Sequence, residues 1–140
     1  MSRKVNEAFF EEYKALDNIC CRKFGTDKSG VTEYITRLNN ARFAPMRDEV
    51  LPRLVKYRNI RNSIAHDEGA LYEITDIIKS DVKWIKYFIK LLEKKKDPLS
   101  LYLRKARRHA KLRRARKVIL IAFLCIALAA GAAVAVITLI

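Results

Sequence analysis

The feature that most constrains this sequence is an apolar run of 23 residues, Val118–Ile140, that contains no charged side chain. As a helix rising 1.5 Å per residue, the run would extend about 34 Å, against about 30 Å for the hydrocarbon core of a bilayer. A helix that is apolar on every side needs lipid or a large protein core around it, and about 100 remaining residues cannot supply such a core. The run therefore predicts a transmembrane helix over residues 118–140.

The segment directly before this run is strongly basic. Arg104–Lys117 contains nine of the 29 lysine and arginine residues of the chain and no acidic residue. By the positive-inside rule, a basic segment beside a span lies on the cytoplasmic side. The first residues of the chain lack the apolar core of a signal peptide. Together these patterns predict a single-pass, tail-anchored protein of the cell membrane with a cytoplasmic N-terminal domain.

Two partners suit the basic segment. Its side chains could bind the anionic headgroups of a lipid bilayer or the phosphate groups of RNA. The segment has no aromatic residues between its basic ones and it adjoins the apolar run, which favours the bilayer. The residues predicted to contact the membrane surface are Arg104, Arg107, Arg108, Lys111, Arg113, Arg114, Arg116 and Lys117.

Composition excludes several other classes of protein. Three cysteines and two histidines give neither a disulfide framework nor a four-ligand zinc site. The adjacent Cys20 and Cys21 are best interpreted as small buried side chains. No glycine-rich phosphate loop follows an alternating strand pattern, which excludes P-loop and Rossmann folds. We therefore expect no metal site and no cofactor.

Residues 1–97 predict a compact helical domain. Apolar residues recur at steps of three and four in four runs, which begin near Val5, Val31, Val50 and Ile74. The links between these runs are short, as in an up-and-down bundle. Asp97 and Pro98 suit the cap and first residue of a last helix. The predicted fold is all-α: a four-helix bundle at 1–97, a basic juxtamembrane helix at 98–117 and a transmembrane helix at 118–140.

One motif lies near the end of the third run, the segment Arg61-Asn62-Ser63-Ile64-Ala65-His66. An arginine, a polar residue that is often asparagine, three further residues and a histidine at the end of a long helix form the signature of the HEPN superfamily, which this segment resembles. Arg104 and His109 share the spacing but lie in a basic run that needs no such explanation.

The resemblance implies a dimeric four-helix domain whose two motifs face each other across a cleft. It also implies metal-independent cleavage of RNA in a toxin or defence setting, with an antitoxin-type protein as a further partner. The expected RNA products are a 2′,3′-cyclic phosphate and a 5′-hydroxyl.

The residue types suit this chemistry. The guanidinium of Arg61 can bind phosphate oxygens bidentately and stabilise the charge of the transition state. The imidazole of His66 has an ordinary pKa near 6.5, so it can accept the 2′-hydroxyl proton or protonate the leaving 5′-oxygen. Asn62 would position one of these groups or the phosphate. These three residues are the predicted catalytic set.

Helix geometry adds a condition to this prediction. Arg61 and His66 lie about 140° apart around an unbroken helix, whereas Arg58, Asn62 and His66 stack on one face. Arg61 and His66 can therefore meet on one phosphate only if the helix loosens near His66 or if a second subunit completes the site. Arg58 becomes a candidate second phosphate contact.

An alternative function fits the same motif. The domain could be a non-catalytic, membrane-tethered interaction module in which the arginine, asparagine and histidine form a buried polar network. In that case Asp67 and Glu68 would pair with Arg58 or Arg61 and leave neither free for phosphate.

Overall fold

The computed structural model describes the backbone of residues 2–66 and 77–139 and the side chains of residues 3–63 and 77–126. Within these ranges the protein is helical and contains no strand. The helices are α1 (Ser2–Phe24), α2 (Gly30–Asn40), α3 (Arg47–His66), α4 (Lys79–Glu93) and α5 (Pro98–Leu139). The predicted all-α class is confirmed.

The first helix is the centre of the bundle, because α1 contacts α2, α3 and α4 while α2 also contacts α3. The apolar periodicity of the sequence explains this packing. In α1, Phe9, Tyr13, Leu16 and Cys20 are all buried, and they follow the predicted steps of three and four residues. Cys20 and Cys21 are buried as predicted, and burial raises the pKa of the Cys20 thiol to about 12.

Aromatic rings connect the four helices of the bundle that the structure describes. Phe9 of α1 meets Tyr57 of α3 edge-on with 5.5 Å between ring centroids, and Tyr57 in turn meets Trp84 of α4 at 5.5 Å. Trp84 stacks on Phe88 at 5.0 Å, and Phe88 meets Tyr34 of α2 edge-on at 5.5 Å. Such pairs stabilise a core beyond the area they bury. The core is therefore one continuous cluster.

A buried carboxylate fixes the start of α5. Asp97 is 0% exposed and accepts hydrogen bonds from Lys23 Nζ and the Tyr34 hydroxyl, each at 2.8 Å. The same carboxylate accepts a bond from the backbone N–H of Ser100, and Pro98 is the first helical residue. The predicted helix cap at Asp97 and Pro98 is confirmed.

The chain divides into two compact units, Met1–Tyr102 and Leu103–Ile140. The sequence placed the end of the helical domain at residue 97. The first unit extends five residues further because the first turns of α5 pack on the bundle, where Leu99 is buried and Tyr102 is half-buried.

The predicted C-terminal transmembrane helix is wrong for the residues that the structure describes, since none of their helices is long and apolar enough to cross a membrane. α5 is one helix of 42 residues, and its first half carries the charged basic segment, so the apolar run continues a charged helix and is not a separate element.

Candidate functional site

The predicted catalytic residues lie in the last turns of α3. Arg61 and Asn62 are exposed, Arg58 is half-buried one turn earlier, and His66 is the last residue of the helix. The side chain of His66 lies outside the described side chains, as do Asp67 and Glu68 altogether. The structure therefore describes the arginines and the asparagine of the predicted site.

These three side chains line one cavity of about 380 Å³. Its walls are formed by α1, the loop between α1 and α2, the start of α2, and α3. The lining residues are Tyr13, Lys14, Asp17, Asn18, Lys28, Ser29, Thr32, Arg58, Arg61 and Asn62. We call this cavity the basic pocket, because four of its lining side chains are cationic.

The charge of the basic pocket favours an anion. Among the described residues that line the pocket, Lys14, Lys28, Arg58 and Arg61 carry four positive charges and Asp17 carries one negative charge. The carboxylate of Asp17 is already bound, since its Oδ1 accepts a hydrogen bond of 2.8 Å from the backbone N–H of Val31. Several cations around one recess raise the local concentration of anionic ligands.

Among the described residues, the guanidinium groups of Arg58 and Arg61 are hydrogen-bonded to the side chains of adjacent asparagines. Arg61 Nη1 contacts the side-chain oxygen of the adjacent Asn62 at 3.4 Å, and Arg58 contacts that of the adjacent Asn59 at 3.3 Å and 3.4 Å. Among the described residues, neither guanidinium forms an ion pair with a carboxylate. Bonds this long between sequence neighbours do not hold a guanidinium in a buried network.

The pocket also contains a tyrosine hydroxyl that sequence reasoning missed. Tyr13 is buried, and burial raises the pKa of its hydroxyl. The charge of Asp17 raises this pKa further, whereas Arg61 and Arg58 lower it, and the net shift is upward. The hydroxyl therefore stays protonated at neutral pH and can donate a hydrogen bond to an anion in the pocket.

Lys14 and Lys28 also line the pocket but were not predicted as site residues from the sequence. Lys14 lies on α1 and Lys28 in the loop that follows it, so neither has a fixed sequence spacing to the motif on α3. The apolar periodicity of α1 predicts that Tyr13 lies in the core and that Lys14 faces solvent. Only the packing of α1 against α3 brings both residues to the same cavity.

The backbone of α3 resolves one of the two conditions set by the helix geometry. The α-helical backbone continues to His66, so the helix does not loosen before that residue. Arg61 and His66 of one chain then remain about 140° apart around the helix. The other condition, a second copy of the chain that completes the site, stays a prediction.

The basic segment is a second candidate surface, and it belongs to the other compact unit. All of its side chains, Arg104–Lys117, are exposed on α5. Its predicted contact residues therefore form a solvent-facing cationic surface on one continuous helix.

Comparison with known proteins gives one match. A family model described as "Family of unknown function (DUF6548)" matches residues 7–122, which include the bundle, the basic pocket and the basic segment. No curated protein and no solved structure matches the chain.

Proposed function

This chain belongs to the Family of unknown function (DUF6548), and we propose that its helical unit binds RNA in the basic pocket and cleaves it without a metal ion. One observation carries the proposal. Arg61 and Asn62, which the HEPN resemblance selects, and Arg58, which helix geometry adds, line the same cavity as Lys14 and Lys28. A guanidinium binds phosphate oxygens bidentately and an ammonium group binds them as a point charge, so a phosphodiester suits this cavity.

The proposed reaction is an internal transesterification of the RNA phosphodiester. The 2′-oxygen of a ribose attacks the adjacent phosphorus, the bond to the 5′-oxygen breaks, and a 2′,3′-cyclic phosphate and a 5′-hydroxyl result. Arg61 binds the phosphate oxygens, whose negative charge increases in the transition state. His66 accepts the 2′-hydroxyl proton or donates a proton to the leaving 5′-oxygen.

The remaining pocket residues have binding roles in this proposal. Arg58 binds the phosphate together with Arg61, and Asn62 positions the phosphate or one of the groups that bind it. The protonated hydroxyl of Tyr13 donates a hydrogen bond to the same anion. Lys14 and Lys28 bind a neighbouring phosphate of the RNA. A homodimer completes the site, since an unbroken α3 holds Arg61 and His66 on different faces.

RNA cleavage in EDTA tests the proposal. The full-length protein, Arg61→Ala and His66→Ala are incubated with mixed RNA, and the product ends are identified. We expect cyclic-phosphate products from the unchanged protein and a loss of about a hundredfold or more in rate for each variant, because each removes one charge-stabilising or proton-transferring group.

Two matched variants control for charge and for residue type. Arg42→Ala removes an exposed arginine outside the pocket, and His109→Ala removes the other histidine of the chain. Both are expected to retain the full rate. If the unchanged protein is folded and dimeric but leaves RNA intact, the catalytic proposal is wrong and the non-catalytic interaction module replaces it.

A binding measurement separates the pocket from the chemistry. Lys28→Ala is expected to weaken RNA binding several-fold and to change the rate with saturating RNA little, because a remote phosphate contact adds to affinity more than to the reaction itself. Fluorescence anisotropy with a labelled RNA and single-turnover rates give the two quantities. Equal RNA affinity for the unchanged protein and the variant would show that Lys28 does not contribute to RNA binding.

A further inference from the structure

The second compact unit presents two adjoining exposed surfaces on α5. The first is the basic segment, Arg104–Lys117, which carries nine cationic side chains and no carboxylate. The second, which we call the apolar segment, is Val118–Ile126. Its seven large apolar side chains are each between 54% and 69% exposed. The proposed RNA-cleaving function uses neither surface.

One face of the basic segment is shaped to receive an anionic group. A shallow depression on this face is lined by the small residues Ala106 and Ala110, by His109 and by the cationic residues Arg113, Arg114 and Lys117. Arginine binds phosphate bidentately, and three cations around one depression can neutralise more than one phosphate. The partner of this face is therefore anionic.

We propose that the basic and apolar segments together are a docking surface for an anionic lipid bilayer. The basic segment binds the headgroup phosphates, each cation near the surface adding to the attraction. The apolar segment contacts the lipid beside those headgroups. A bilayer can neutralise the basic segment and cover the apolar segment at once, because it presents anionic charge directly next to apolar material.

Other partners would neutralise the basic segment or cover the apolar segment, but not both. RNA would neutralise the basic segment but would leave the apolar segment exposed to water, and the basic segment contains no phenylalanine, tyrosine or tryptophan for stacking on bases. A second copy of α5 would cover only part of the apolar segment, since the consecutive residues 118–121 point in different directions around the helix. Side-by-side copies would also bring two basic segments together at a repulsive distance.

Vesicle flotation with the full-length protein tests this proposal. The vesicles contain either phosphatidylcholine alone or phosphatidylcholine mixed with phosphatidylglycerol. We expect the bound fraction to rise with the anionic lipid and to fall as salt is added, because salt screens the headgroup charge. Arg113→Glu/Arg114→Glu is expected to reduce the partition coefficient on the mixed vesicles about tenfold or more.

A matched variant controls for net charge alone. Lys94→Glu/Lys96→Glu makes the same change in charge at two exposed lysines outside the docking surface, and it is expected to bind the mixed vesicles like the unchanged protein. Equal binding to both kinds of vesicle would overturn the proposal. So would an Arg113/Arg114 variant that loses binding to an RNA oligonucleotide but keeps its binding to anionic vesicles, since the basic segment would then be an RNA-binding surface.

Discussion

At the residue scale, Asp97 shows how one side chain can join three helices. Its carboxylate accepts hydrogen bonds from Lys23 of α1 and Tyr34 of α2, and it caps α5 through the backbone N–H of Ser100. Burial by itself raises the pKa of Asp97, but the hydrogen bonds and the Lys23 charge lower it by more, so the net shift is below the ordinary value of 3.8. The folded protein therefore holds this carboxylate in its charged form.

Asp97→Asn is expected to lower the free energy of unfolding by about 3 kcal/mol at pH 7, because it leaves a partly buried ammonium group without its carboxylate. Asp48→Asn is the control, since the Asp48 side chain is 96% exposed and its loss is expected to change stability little. Urea unfolding of the three proteins gives the difference. An unchanged midpoint for Asp97→Asn would show that Lys23 finds other partners.

The acid dependence of stability follows from the same side chain. Because the pKa of Asp97 is lower in the folded protein than in the unfolded chain, its contribution is fully present above the ordinary pKa. That contribution is lost as the pH falls through the folded pKa. The stability difference between the unchanged protein and Asp97→Asn is therefore expected to decrease below about pH 4 in urea titrations.

At the element scale, the pairing of α1 and α2 depends on a close approach at Gly30. A Cβ atom at this position would meet the backbone of Asp17 and Cys21, which cannot move away as a flexible side chain could. Asp17 of α1 also caps the start of α2 by accepting the backbone N–H of Val31. One short stretch of α1 therefore fixes both the distance between α1 and α2 and the residue at which α2 begins. This stretch lies beside the basic pocket.

Gly30→Ala is expected to destabilise the protein by about 2 kcal/mol, because the two helices must separate to make room for one methyl group. For a unit of this size, the loss corresponds to a fall of about 10 °C in the thermal midpoint. Asn40→Ala, at the exposed end of the same helix, is the control and is expected to change the midpoint little. Thermal unfolding followed by circular dichroism compares the two variants.

At the scale of the whole molecule, the two compact units separate the two proposed activities. The described core residues all lie before Leu103, and the last of them is Leu99. The basic pocket lies in the first unit and the docking surface in the second. Loss of one activity therefore leaves the physical basis of the other in place.

A chain of residues 1–102 is expected to unfold cooperatively within a few degrees of the full-length protein, and to cleave RNA without binding anionic vesicles. A chain of residues 1–96 lacks Asp97 and Leu99, so its thermal midpoint is expected to fall by about 15 °C or more. Calorimetry of both truncated proteins measures the effect. A chain of residues 1–102 without a cooperative transition would show that the first unit needs the rest of α5.

The sequence by itself determined the features that depend on local spacing. Steps of three and four between apolar residues predicted the helical class and the buried face of α1, and Asp97 with Pro98 predicted the start of α5. The motif on α3 was also visible, because Arg61, Asn62 and His66 lie within six consecutive residues, and helix geometry added Arg58 one turn earlier. The length of the apolar run predicted a transmembrane helix, which is wrong for the residues that the structure describes.

Only the tertiary structure decided which distant residues share a site. Lys14 and Tyr13 on α1 and Lys28 in the following loop reach the α3 arginines because the helices pack around one core. In the same way, Asp97 binds Lys23 and Tyr34 across 74 and 63 positions of sequence. The physical reason is that periodicity reports which face of a helix is buried, whereas the choice of neighbouring helix depends on how all the faces pack together.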